Sequence, residues 1–230
     1  MRIQKFLAHA GICSRRKAEK HIVNGQVEIN GQIVQTPGVK INPDKDHVRI
    51  FGKPVSLCSQ LIYIALNKPR GVVSSCSHPG EKIVTDLVNL PQRLFPVGRL
   101  DKASSGLLLL TNDGSLHHRI SHPSFSHEKE YQVTVRRKIS DHELLKMANG
   151  IVINEKKTRP AIVRRRSAKE FIIVLKEGRN RQIRRMLEQL NHQVIYLHRI
   201  RIGHIQLNNL KTGKWRYLSK MEIGLFNKRL

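Results

Sequence analysis

The loop from Gly98 to Gly106 carries one carboxylate whose position suits catalysis. Its sequence, GRLDKASSG, places Asp101 directly before the apolar run Leu107–Leu110. Four consecutive leucines suit a buried strand, which would hold the loop rigidly and turn the carboxylate toward a cleft. There it could serve as a nucleophile or a base. The alternative is that Asp101 caps a turn or pairs with Arg99, and the pattern alone favours this plainer role.

Four arginines lie close together in EGRNRQIRRM, residues 177–186. A helix here would bury an apolar face formed by Ile183, Met186, Leu187 and Leu190. Arg184 follows Ile183 and could reach inward from the edge of that face. Arginine binds a carboxylate bidentately and favours its ionised form. The alternative is that these arginines face phosphates, which we expect of three of them: Arg179, Arg181 and Arg185.

A tyrosine begins another predicted strand, directly after the charged run Glu128–Glu130. The ring of Tyr131 could stack on a nucleobase. Packing in the core explains the same pattern equally well.

Other catalytic motifs are missing from the sequence. His118 and His122 have helical spacing for a metal, but no third ligand is spaced to join them. There is no phosphate-binding G-x-x-x-x-G-K-[ST] loop, no G-x-G-x-x-G turn and no G-x-S-x-G elbow. We therefore expect neither a metal nor a nucleotide cofactor.

The charge of the chain indicates the partner. The 230 residues contain 42 Lys and Arg against 17 Asp and Glu, a net charge of +25. Such an excess is costly in self-repulsion unless the partner is a polyanion, so nucleic acid is the first candidate. The three cysteines show no spacing typical of disulfides, and the sequence has neither a signal peptide nor an apolar run long enough for a membrane span. These features predict a cytoplasmic protein without a membrane partner.

The first 55 residues predict a small RNA-docking domain. Apolar spacing indicates a helix that ends at Gly11 and a second that Ser14 caps and Gly25 ends. Asn30-Gly31 is a strong hairpin signal, and a strand pair follows within 47–55. Basic side chains lie on the polar side of the second helix, and we expect them to bind RNA: Arg15, Arg16, Lys17 and Lys20.

Residues 56–61 predict a linker, and 62–230 a second domain. Strands are predicted at 63–66, 107–111, 131–135, 161–164, 171–175, 194–197 and 215–218. Helices are predicted at 141–149, 180–190 and 220–226. Many strands with few helices predict an α+β fold with a mostly antiparallel mixed sheet flanked by helices.

Four segments of this second domain resemble, in order and spacing, the motifs of bacterial ribosomal-RNA pseudouridine synthases of the RsuA/RluB/RluE/RluF family. They are LNKPRG (66–71), GRLDKASSGLLLLTNDG (98–114), EKEY (128–131) and EGRNRQIRRM (177–186). The N-terminal helices and hairpin resemble the alpha-L RNA-binding domain, also called the S-four type. One residue departs from the family pattern: Ser104 stands where the family usually has Thr.

The resemblance implies isomerisation of uridine to pseudouridine in RNA, without cofactor or metal. It makes Asp101 the catalytic carboxylate, Arg184 its partner and Tyr131 the ring that stacks on the flipped base. Whether Asp101 acts on ribose or base stays open. We also expect Lys68 and Arg99 to contact RNA.

The expected partner is ribosomal RNA or a ribosomal subunit precursor, with large-subunit RNA slightly favoured, and the expected state is a monomer. The competing interpretation is a non-catalytic RNA-binding or ribosome-assembly protein. A carboxylate at position 101 favours the enzyme, because it would be unfavourable on a surface that only binds phosphates.

Overall fold

The structure, a computed structural model, describes residues 1–57, 60–122 and 125–227. The chain forms two compact units. Unit 1 comprises Met1–Ile62 with Leu90–Arg93 and Asn112–Gly114, and unit 2 comprises Tyr63–Asn89, Leu94–Thr111 and Ser115–Leu230. Residues 58 and 59 of the predicted linker and 228–230 of the predicted second domain lie outside the described residues. No helix in the described part of the chain is long and apolar enough to cross a membrane.

Unit 1 consists of two short helices and a small antiparallel sheet. The helices are α1 (Ile3–His9) and α2 (Arg15–Val23). The strands are β1 (Val27–Ile29), β2 (Gln32–Ile33), β3 (Val48–Ile50) and β4 (Lys53–Pro54), in the order β2-β1-β3-β4. The core contains the fully buried side chains Ile3, Leu7, Ala18, Ile22 and Val27.

The local signals of unit 1 act as the sequence predicts. The Ser14 side chain accepts a hydrogen bond from the backbone N–H of Lys17 at 3.2 Å, which satisfies one free donor at the start of α2. Asn30 and Gly31 have φ of 51° and 81°, the left-handed values that a two-residue hairpin turn between β1 and β2 requires. These signals confirm the predicted helices and hairpin.

Unit 2 is built on one large mixed sheet. Its strands are β5 (Tyr63–Lys68), β6 (Phe95–Val97), β7 (Ser105–Thr111), β8 (Lys129–Val135), β11 (Ile162–Arg165), β12 (Glu170–Leu175), β13 (Val194–Ile202), β14 (Ile205–Gln206) and β15 (Trp215–Tyr217). They follow the order β11-β12-β8-β13-β7-β5-β15, with β14 paired to β13 and β6 paired to β7. A separate hairpin pairs β9 (Val152–Ile153) with β10 (Lys156–Lys157).

Most neighbours in the large sheet are antiparallel, and β13 and β7 pair in parallel. The remaining helices are α3 (Gly114–Ser121), which belongs to unit 2 from Ser115 onward, α4 (Asp141–Asn149), α5 (Gln182–Glu188) and α6 (Lys220–Asn227). A short 3-10 helix spans Val84–Leu87. The predicted α+β class and mixed sheet are confirmed.

Two apolar clusters hold the helices against this sheet. α4 and α5 contribute Met147, Met186 and Leu187 to a cluster with Val133 and Phe171, all of them fully buried. α3 and α6 contribute Leu116, Ile120 and Phe226 to a second cluster beside β7. Strand β7 is buried along its whole length, as its run of leucines predicts.

Several elements differ from the sequence predictions. β13 continues to Ile202, five residues beyond its predicted end at Leu197, because its arginines find partners inside the sheet. α5 begins at Gln182, two residues later than predicted, since Arg181 is left-handed with φ 52°. β6, α3 and the β9–β10 hairpin lie in segments where no element is predicted.

Candidate active site

The end of β5 and the residues that follow it hold the loop that carries Asp101. The Lys68 ammonium donates to the carbonyls of Ser104 at 2.8 Å and Pro69 at 2.9 Å. The Gly71 N–H donates to the Lys102 carbonyl at 2.8 Å. The LNKPRG segment thus fixes the loop that holds the carboxylate. The Ser74 hydroxyl adds to this by donating to the Leu100 carbonyl at 2.8 Å.

The structure corrects the expectation that Lys68 contacts RNA. Its side chain is 0% exposed, so it presents no donor to a phosphate. Burial lowers the pKa of the Lys68 ammonium to about 8, and the nearby Asp101 carboxylate opposes this shift. Lys68 therefore acts on the Asp101 loop from within the protein.

Arg184 lies beside the carboxylate, on α5. Its Nε is 3.9 Å from Oδ2 of Asp101, and its Nη2 donates to the Ala103 carbonyl at 3.2 Å. Only 11% of the Arg184 side chain is exposed, against 32% of Asp101. Burial first and then the charge of Arg181 lower the pKa of the Arg184 guanidinium, and the carboxylate of Asp101 opposes this shift. The contact is one long ion pair rather than a bidentate fork.

Tyr131 is half-buried on β8, where it faces Arg199 of β13 as its cross-strand partner. Arg199 Nη1 donates to the tyrosine hydroxyl at 3.5 Å, and its guanidinium carbon lies 5.9 Å from the ring centroid. Arg199 Nε donates to the Leu107 carbonyl at 2.7 Å. This arginine thus ties Tyr131 to the strand that follows the Asp101 loop.

Sequence reasoning missed Arg199, which is 3% exposed and has a buried Nη2 without a hydrogen-bond partner in the described structure. Burying a charge is costly, so an arginine kept inside a sheet indicates a role beyond packing. The available signal was the sequence HRIRIG, in which arginines alternate with apolar residues at strand spacing.

The two glutamates of EKEY fix the strand that bears Tyr131. Arg201 Nε donates to Glu130 at 2.6 Å and Nη2 donates to Glu128 at 3.1 Å. Lys129 lies between them and lines the cleft, where burial first and then the charge of Arg199 lower its pKa. The motif therefore holds the register of β8 against β13.

Asp101, Tyr131 and Arg199 line one cleft of about 210 Å³ in unit 2. Ile183, Leu197 and Ile202 contribute apolar wall, while three of the predicted RNA-binding arginines also line the cleft: Arg99, Arg179 and Arg181. An apolar wall with a carboxylate, a phenol and several cations suits a planar, polar ligand attached to an anionic chain.

The predicted RNA-binding arginines differ in their exposure and in the partners that their guanidinium groups have within the protein. Arg99 and Arg181 are exposed. Arg179 donates to the carbonyls of Lys156 and Lys157 and pairs with Glu177, so its guanidinium braces the cleft wall. Arg185 donates to Asn180 at 3.0 Å and is half-buried.

The four predicted RNA-binding residues of unit 1, Arg15, Arg16, Lys17 and Lys20, are all exposed on α2. In the described ranges, no group of three His, Cys, Asp or Glu side chains is arranged to hold a metal ion.

Known proteins match this chain over most of its length. The profile of the RNA pseudouridylate synthase family matches residues 62–189, and that of the S4 domain matches residues 1–48. The chain is 42% identical to the ribosomal large subunit pseudouridine synthase B of Bacillus subtilis strain 168, covering 96% of this chain and 93% of that protein. It is also 42% identical to an RNA pseudouridine synthase of Aquifex aeolicus strain VF5, over 97% and 92% of the two chains.

Among solved structures, a crystal structure of a pseudouridylate synthase superimposes with a TM-score of 0.73 at 32% identity, covering 98% of this chain and 99% of the other. The matched range of the family profile spans all four motif segments, and the solved structure shares the fold over nearly the whole chain. The chain therefore belongs to the RNA pseudouridylate synthase family, with an N-terminal S4 domain.

Proposed function

We propose that this enzyme isomerises a specific uridine of ribosomal RNA, with Asp101 as the catalytic carboxylate. The observation that carries the proposal is the meeting of Asp101 and Tyr131 in one cleft with exposed arginines at its edge. The name of the Bacillus subtilis relative supports ribosomal RNA, and large-subunit RNA in particular.

The reaction needs no oxidant and no second substrate. The bond between ribose C1′ and uracil N1 breaks, and a bond between C1′ and C5 forms. C5 loses its proton and N1 gains one, so atoms and charges balance within the nucleotide. The Asp101 carboxylate acts on ribose or base, and in either place it supplies an electron pair that attacks carbon or accepts a proton.

Arg184 positions the carboxylate. Its Nη2 donates to the Ala103 carbonyl while its Nε faces Asp101. The Arg184 side chain therefore restrains both the backbone of the loop and the Asp101 carboxylate.

Tyr131 forms the aromatic wall on which the flipped base stacks, and its hydroxyl is the group that helps to move the C5 proton. Extracting a uridine from its stack costs a few kcal/mol, and stacking on an aromatic ring offsets part of this cost. Arg199 fixes the ring through its contact with the Tyr131 hydroxyl.

Unit 1 provides docking on the RNA through the basic face of α2. Four exposed cations lie on this helix, and each contact that they make with an RNA phosphate releases counterions. We further propose that the enzyme acts as a monomer in the cytoplasm.

The proposal is tested by incubating the purified enzyme with ribosomal RNA transcripts that carry tritium at C5 of uridine. Isomerisation releases this label, and mapping of pseudouridine then locates the site. Asp101→Asn keeps the shape of the side chain but loses the charge, so we expect folding and RNA binding to persist while tritium release stops. Asp44→Asn, at an exposed position in unit 1, is the control. Substantial turnover by Asp101→Asn would contradict the assigned role.

A further inference from the structure

Unit 1 contains two hairpins with turns of the same length and backbone but different residues in the first turn position. Asn30-Gly31 joins β1 to β2, and Phe51-Gly52 joins β3 to β4. The φ values are 51° and 81° in the first turn and 52° and 72° in the second. Asparagine is favoured at the first position of such a turn, whereas a bulky side chain with positive φ is a rare outlier.

Phe51 is exposed as well as strained. Its exposed fraction is 58%. One exposed apolar side chain is common on a soluble protein, but here the backbone disfavours phenylalanine too, and the ring gains little burial in return. Asparagine, which the chain has at the equivalent position 30, would remove both costs. Backbone strain of this kind is concentrated at functional sites, so the ring at position 51 indicates a role outside the fold.

The ring of Phe51 packs against α2, next to its basic residues. It meets the His21 ring at 82°, with the two ring centroids 5.1 Å apart. Gln26 contacts both partners: its carbonyl accepts from the Phe51 N–H at 3.0 Å, and its side-chain oxygen accepts from Nδ1 of His21 at 2.6 Å. Lys17 is exposed one turn before His21, on the same side of α2. The exposed ring therefore lies beside the cations to which RNA phosphates are assigned above.

We propose that Phe51 stacks on an unpaired base of the RNA strand whose phosphates contact α2. The neighbouring positive charge favours a polyanion over an apolar protein surface, and the base is the part of an RNA strand that offers a flat face to a ring. Every base has such a face, so the contact adds affinity for a single-stranded segment without reading its sequence. The inference rests on the proposed function, which supplies RNA as the partner, and adds an aromatic contact in unit 1 to it.

The test measures Kd of full-length variants for a ribosomal transcript on which the parent enzyme forms pseudouridine. Phe51→Asn gives the β3–β4 turn the residue that the β1–β2 turn already has. Phe51→Trp keeps an aromatic ring, and Phe51→Leu keeps an apolar side chain without one. Ile33→Asn is the matched control, because it removes another apolar side chain of unit 1, 67% exposed on β2.

We expect Phe51→Asn to raise Kd about tenfold, as expected when one base loses its aromatic partner. Phe51→Trp should bind as tightly as the parent, Phe51→Leu should show most of the loss, and Ile33→Asn should show none. The loss should be equal at every salt concentration, because stacking releases no counterions. The slope of log affinity against log salt therefore stays unchanged, whereas loss of a phosphate contact would make it shallower.

Transcripts that each lack the base of one unpaired nucleotide locate the stacked position. The parent should lose about tenfold in affinity when that one base is missing. Phe51→Asn should lose nothing further on the same transcript, because the ring and the base act as a pair.

An unchanged Kd for Phe51→Asn, or full affinity of Phe51→Leu, would overturn the proposal. A loss seen only with ribosomal particles that contain protein would indicate a protein partner and overturn it equally. Thermal melting of each variant checks folding; Phe51→Asn relieves strain but loses the His21 contact, so its Tm should stay within about 3 °C of the parent. The Trp and Leu variants keep the same strain, so their difference reports the ring alone.

Failure of the proposed function would look different from failure of this inference. If the parent enzyme neither binds nor isomerises any ribosomal transcript, the proposed function itself fails. If the parent is active and its affinity does not depend on the ring at position 51, only the stacking contact fails.

Discussion

Gly106 on β7 and Arg199 on β13 face each other so closely that no side chain fits between them. A Cβ at position 106 would lie 2.3 Å from the Arg199 carbonyl oxygen and 2.5 Å from its amide nitrogen. The φ of Gly106, +106°, is itself strained for any other residue. This approach allows β7 and β13 to pair in parallel, which places the Asp101 loop beside the strand that holds Tyr131 through Arg199.

Gly106→Ala should therefore destabilise the enzyme by about 3 kcal/mol, because backbone must move on both strands. Urea unfolding at equilibrium measures this. Gly213→Ala is the matched control: its φ is also positive, +78°, but a Cβ there meets open space. Equal losses in the two variants would show that backbone conformation alone, and not the close approach, makes glycine necessary at position 106.

Arg184→Lys should reduce kcat strongly while RNA affinity falls little. Lysine keeps the positive charge but cannot hold the Ala103 carbonyl and face Asp101 at the same time. Arg185→Lys, one residue further along α5, should have a mild effect, because Arg185 contacts Asn180 rather than the Asp101 loop. Single-turnover rates with saturating enzyme measure the chemical step in both variants. Comparable losses of rate in the two would contradict the proposed role of Arg184.

Lys68 gives a prediction about stability and pH. Because the pKa of its ammonium is about 8 in the folded chain against 10.5 ordinarily, the unfolded chain binds more protons between these two values. Stability from this group therefore rises as pH increases from about 8 to 10.5, and below pH 8 the buried charge is a constant cost.

Comparison of the parent enzyme with Lys68→Met isolates this contribution. We expect the free energy of unfolding of the parent, relative to the variant, to increase by roughly 2 kcal/mol between pH 8 and 10.5. Lys146→Met, at an exposed site on α4, is the control. A constant difference across this range would mean that Lys68 titrates alike in both states. Lys68→Met should also slow turnover, since the Ser104 carbonyl loses its donor.

The sequence predicts elements best where local signals decide the structure. α4 has its predicted bounds because Ser140 and Glu143 form a reciprocal cap: each side chain binds the other's backbone N–H. The sequence also predicts β7, because a strand buried on both faces has a continuous run of apolar residues. In both cases the relevant information lies within ten residues of chain.

What the sequence does not predict depends on distant partners. Lys68 follows an apolar strand and looks like a solvent-facing cation, yet its acceptor on Ser104 lies 36 residues away. Arg199 looks like the end of a strand, yet the Leu107 carbonyl, 92 residues away, accepts its hydrogen bond. A buried cation becomes recognisable only when the acceptors that satisfy it are known, and these belong to other elements of the fold.

The basic face of α2 makes a prediction about how affinity depends on salt. Each phosphate contact releases counterions, so the slope of log affinity against log salt counts the contacts made. Replacing Arg15, Arg16, Lys17 and Lys20 together by Gln in the full-length chain should make this slope shallower by roughly 2 to 3, if most of them touch phosphates. The matched control replaces four other exposed cations of unit 1 by Gln: Lys40, Lys45, Arg49 and Lys53. Both variants lose the same charge, so a long-range effect of net charge would change both slopes alike, whereas direct contacts by α2 predict a larger change in the first.

With a short RNA that carries only the target stem, the α2 variant should keep its kcat, because Asp101 and Tyr131 belong to unit 2.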